Sequence, residues 1–112
     1  MDVTLPSKFR ANSLVDTFGA VVPWAVVLEP HGWTCVLGTG DSPRSRWRAP
    51  VTTADYSADI RTMRLFLYDN TTNIGRPNSP GALSKFDVWT RLNFDGDQAA
   101  AAAALREHGL PT

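Results

Sequence analysis

The chain predicts an α+β fold: a small antiparallel sheet built on a central hairpin at about 22–37, joined by a strand near 86–94 and packed against helices near 53–68 and 98–108. Three observations predict it. Two apolar, β-branched runs, Val21-Val22-Pro23-Trp24-Ala25-Val26-Val27-Leu28 and Trp33-Thr34-Cys35-Val36-Leu37, flank the turn residues Glu29-Pro30-His31-Gly32. Tyr56, Ile60, Met63 and Leu67 recur at helical spacing. Six consecutive alanines at 99–104 lie between the capping residue Asp97 and Gly109.

Taken in order, residues 1–12 are polar, carry Pro6, and read as an extended arm anchored by Phe9. A short helix follows at 13–19, with Ser13 as its N-cap and Gly19 as its stop, and an entering strand is the rival. In the hairpin both runs are apolar at successive positions, as in strands covered on both faces. Gly38-Thr39-Gly40-Asp41-Ser42-Pro43 is a loop. In Arg44-Ser45-Arg46-Trp47-Arg48 the basic residues alternate, so an extended chain puts three guanidiniums on one side and Trp47 on the other.

Thr52 or Thr53 opens the next helix, with Asp55 as a partial capping box and Asp59, Arg61 and Arg64 placed to suit the helix dipole. A rival pattern runs through the same stretch: Met63, Leu65 and Leu67 alternate with Arg64, Phe66 and Tyr68, as in a strand. Asn, Gly, Pro and Ser crowd 69–81, a flexible loop long enough to carry function. At 86–94 apolar Phe86, Val88, Leu92 and Phe94 share one face of a strand; a helix grouping Leu83, Phe86 and Trp89 is the rival. Asp97 then caps the alanine-rich helix, anchored by Leu105. The 112 residues suit a single domain, 1–112, without internal repeats.

Eleven basic residues balance eleven acidic ones, so there is no global attraction to nucleic acid or to an anionic membrane, and little self-repulsion. Nine of the eleven basic residues are arginine, a bias that resembles proteins of GC-rich bacterial genomes and their phages. Cys35 is the sole cysteine, and the N-terminal residues lack a basic-then-apolar leader pattern; both point to the cytoplasm. The longest apolar stretch, 20–28, is interrupted by Pro23 and falls short of the roughly 20 residues that a membrane helix needs.

Chemistry-bearing patterns are sparse. His31 and Cys35 lie four apart with too few partners for a zinc site. Asn93-Phe94-Asp95-Gly96-Asp97 opens like a calcium loop, but Gln98 and Ala104 stand where a glycine and a bidentate glutamate belong. Gly38-Thr39-Gly40-Asp41-Ser42 lacks the lysine of a phosphate loop, and there is no Gly-x-Ser-x-Gly elbow. No catalytic residue, metal or cofactor is therefore expected.

Two functional expectations remain. The first is a small, non-enzymatic interaction protein that binds a protein partner or itself through Trp47, Trp89 and Arg91, since tryptophan and arginine are favoured interface anchors. The second is a nucleic-acid-binding accessory protein using Arg44, Arg46, Trp47 and Arg48, extended by Arg61, Arg64 and Arg76.

Overall fold

The computed structural model describes residues 11–51, 55–61, 63–68, 74 and 82–111. Most of the expected arm at 1–12, the helix opening at 52–53 and nearly all of the 69–81 loop, including Arg76, lie outside those residues. The chain is α+β, as expected, with an antiparallel sheet. Its helices are α1 (Ala11–Val21), α2 (Trp24–Leu28), α3 (Lys85–Phe94) and α4 (Gln98–His108). Its strands are β1 (Thr34–Leu37), β2 (Arg46–Arg48), β3 (Ala58–Arg61), β4 (Arg64–Leu67) and β5 (Ala82–Leu83). The strands pair in chain order as an antiparallel meander, β1-β2-β3-β4-β5.

Register defines two faces of the sheet. Cys35, Trp47, Ala58 and Leu67 stand opposite one another, as do Ile60, Leu65 and Leu83. These positions face the helices and join one apolar cluster with Phe18, Val22, Trp24, Val27, Leu28, Phe86, Val88 and Leu105. The alternate row, Leu37, Arg46, Asp59 and Phe66, faces the other way.

Three expected elements are corrected. Residues 22–37 are not a hairpin: the first run is the helix α2, and its partner run becomes β1, which pairs with β2 instead. Pro23 provides the extended N-cap, Asp41 Oδ1 accepts from Trp24 N–H at 2.7 Å, and Trp24, Val27 and Leu28 are buried at helical spacing. Pro30 continues the chain as a 3-10 turn, and Gly32, at φ 89°, ends it.

The expected helix at 53–68 is the β3–β4 hairpin. Arg61 pairs with Arg64 across the reversal, and Met63 within it takes φ 62°. The alternation of the rival pattern wins because β3 and β4 bury Ile60, Leu65 and Leu67 against the core. The expected strand at 86–94 is α3, capped by Ser84, whose Oγ accepts from Asp87 N–H at 3.1 Å.

Helix α1 also outruns its expected stop at Gly19 and ends before Pro23, which excludes helical backbone at the preceding residue. Lys85 Nζ donates to Gly19 O at 2.9 Å and to Val22 O, satisfying carbonyls left at that helix end. Its charge sits 5.3 Å over the Trp24 ring, and burial lowers its pKa, Asp41 opposing the shift. Helix α4 matches expectation: Asp97 Oδ1 accepts from Ala100 N–H at 3.1 Å, and Gly109 closes the helix.

Candidate functional site

The outward face of the sheet carries a hollow of about 450 Å³ lined by Leu37, Arg44, Arg46, Tyr56, Asp59, Arg61 and Tyr68. Strand alternation explains much of it. Burying Trp47 turns Arg46 and Arg48 outward, and burying Ile60 turns Asp59 and Arg61 outward. Arg46 stands opposite Asp59, and Asp59 opposite Phe66.

The loop between β1 and β2 supplies Arg44. Gly40 N–H donates to Ser45 Oγ at 3.1 Å, and Ser45 and Ser42 hydroxyls lie 2.8 Å apart. Arg44 N–H then reaches Ile60 O at 2.7 Å, so the loop end is stitched to β3. Arg44 takes φ 67°, a conformation costing a side-chain-bearing residue about 1–2 kcal/mol.

Aromatic rings and guanidiniums interleave across the hollow. Arg46 Cζ lies 4.4 Å above the Tyr56 ring centre, and Arg61 Cζ lies 5.2 Å from that of Phe66. Tyr56 and Tyr68 meet edge to face at 5.7 Å. Arg61 Nη2 donates to the Tyr68 hydroxyl at 2.5 Å. Burial, then a hydrogen bond and charge repulsion from Asp59, raise the Tyr68 pKa above its ordinary value.

Asp59 is the floor of this arrangement, with only 6% of its surface exposed. Arg61 Nε lies 3.3 Å from both carboxylate oxygens, and its hydrogen bond goes to Oδ2. Oδ1 is fully buried and accepts no hydrogen bond.

The expected site residues are dispersed by this fold. Arg44, Arg46 and Arg61 come together in the hollow. Arg48 shares their face but pairs with Thr34, farther along β2. Arg64 lines a separate hollow with Asp16, Met63, Ser84 and Lys85. Trp47 must be corrected as a surface anchor: it is fully buried, and its Nε1–H donates to Gly40 O at 3.1 Å. Trp89 is half-buried, packing against Phe18, Phe86 and Phe94 at 5.1–6.2 Å. Arg91 is half-buried on the same helix and takes no part in the hollow.

Tyr56, Asp59 and Tyr68 were not expected at a site. The alternation of 64–68 held the signal for Tyr68, because it assigns Phe66 and Tyr68 to the side opposite Leu65 and Leu67. Tyr56 precedes β3, and no spacing in the chain points to it.

Among the described residues no group of three or more His, Cys, Asp or Glu side chains could hold a metal ion. Cys35 is half-buried with its Sγ against Leu37 O and Gly38 O, and His31 Nε2 lies 3.1 Å from Asn93 Oδ1. Among the described residues no helix is long and apolar enough to cross a membrane. No family model matches the chain, and neither a curated protein nor a solved structure is significantly similar to it.

Proposed function

We propose that the protein binds single-stranded nucleic acid on the outward face of its sheet. The observation that carries this reading is the interleaving of Arg44, Arg46 and Arg61 with Tyr56 and Tyr68 around one open hollow. Guanidiniums neutralise phosphates, while the half-exposed Tyr68 ring offers a face to an unpaired base. A duplex hides its base faces, so such a surface favours single strands over double. Net neutrality does not oppose the reading, because the charge is local: residues 44–64 hold five arginines and two aspartates.

Fluorescence anisotropy with a labelled strand of about twelve nucleotides, within the usual span of such surfaces, tests it. Salt-sensitive binding to the single strand and weaker binding to its duplex are expected. With three arginines engaged, the log–log salt slope should be near about −2. Arg44→Gly is the informative variant, because glycine tolerates the backbone at φ 67° without strain. It should leave the denaturant midpoint unchanged or raised and weaken binding. Absence of salt-sensitive binding to any single strand defeats the reading.

Self-association is a second reading, favoured by one observation. Among the described residues strand β1 is an edge of the sheet, and it exposes Val36 at 40% and Leu37 at 52%.

A further inference from the structure

We infer that the hollow between β2, β3 and β4 selects guanine, with Asp59 as the residue that reads the base. This rests on the single-strand reading and names its specificity.

Four observations converge on it. The hollow, at about 450 Å³, has the size of a small-molecule site. Its floor is a carboxylate, which can only accept hydrogen bonds when ionised. Asp59 Oδ1 is buried and accepts no hydrogen bond, with Arg61 Nε 3.3 Å away, so an acceptor at the floor of a donor-lined hollow is left to be satisfied once Arg61 moves. Oδ2 accepts from the Arg61 Nε–H at 3.3 Å, long for a charge-assisted bond.

The Watson–Crick edges of the bases differ in what they offer such a group. Guanine presents two donors side by side, N1–H and N2–H2, and an adjacent acceptor, O6. Thymine and uracil place a single donor between two carbonyls, which a carboxylate repels. Adenine and cytosine place one amino group beside an acceptor nitrogen. A carboxylate with two oxygens meets guanine bidentately, and the other bases at one point at most.

The neighbours complete the fit. The Arg61 side chain is 54% exposed, free to swing off Oδ2 and donate to O6. Tyr68 is half exposed and offers a ring for stacking. Arg44 and Arg46, at the rim, meet the phosphates on either side.

The experiment is a set of anisotropy titrations with labelled oligothymidine and with the same strand carrying guanine, or cytosine, at regular intervals. The guanine strand should bind about tenfold tighter or better than the other two. Asp59→Asn should erase that advantage, read as the ratio of the guanine-strand to the oligothymidine affinity, because losing the carboxylate's charge from the arginine-lined hollow strengthens binding of every strand. Displacement of the bound strand by guanosine monophosphate, and not by thymidine monophosphate, should reproduce the preference on the unaltered chain, whatever the fate of the variant. Equal affinity for the guanine and thymidine strands overturns the inference and leaves the single-strand reading standing. So does a guanine advantage that survives Asp59→Asn. Binding of none of the strands overturns both.

Discussion

Asp59 illustrates how much one register position can impose. A carboxylate that is 6% exposed would be costly without partners, and the fold meets that cost locally with Arg61 and Tyr68. The Tyr68 hydroxyl answers in kind: its proton is held more tightly than in water, because burial and the Asp59 charge both disfavour phenolate. A pKa raised on folding means that this contribution to stability is complete below the ordinary tyrosine value of about 10 and is lost as pH climbs through the raised one. The contribution is small, since Tyr68 is half exposed. Its position on the pH axis is measurable nonetheless. An alkaline absorbance titration should show Tyr68 ionising later than a free phenol. Asp59→Asn should move that step down, yet not fully to the ordinary value, because burial is the larger cause. A step that does not move would place Tyr68 outside the field of Asp59.

At the scale of elements, the loop between β1 and β2 is what delivers Arg44, and Gly40 is its keystone. Gly40 has φ 99°, accepts from the buried Trp47 indole, and leaves only 3.0 Å between a built Cβ and Trp47 Cζ2. Gly40→Ala should therefore combine backbone strain with overpacking and cost about 2–4 kcal/mol by urea denaturation. Gly96, at φ 84° with open space around it, isolates the first effect, so Gly96→Ala should cost only about 1–2 kcal/mol. Equal costs for the two would mean that Trp47 yields freely. The same scale explains what could be read from the chain. Helix α4 was legible because cap, propensity and stop agree within one short stretch, from Asp97 to Gly109. Helix α2 was not: its β-branched composition favours strand, while the deciding contact comes from Asp41, seventeen residues away. In β3 and β4 two periodicities overlap in the same letters, and only pairing with β2 and β5 selects between them. Helix α3 stands in the sequence only as the rival reading, since its Ser84 cap comes just before an apolar pattern that also reads as alternation. The arginines of the site were visible as an alternating run, whereas their aromatic and acidic partners required the register of three strands.

For the molecule as a whole, zero net charge conceals a dipole. Five arginines of the eleven basic residues fall within 44–64, mostly on the outward sheet face, so acidic residues prevail over the remainder. Such a charge distribution would draw copies together through unlike faces, an attraction that salt screens over about 10 Å at 0.1 M. Pairing through the β1 edge would behave differently. It would use backbone hydrogen bonds and the exposed Val36 and Leu37, and salt would leave it nearly untouched. The irregular register between Cys35 and Leu37 and the short length of β1 both blunt that edge. Light scattering across a salt series should therefore show association that fades as salt rises and that Val36→Lys leaves in place. Arg46→Ala should weaken it by thinning the positive face. Association that persists at high salt and vanishes in Val36→Lys would instead assign the contact to β1, making that edge, and not the arginine face, the surface through which copies meet.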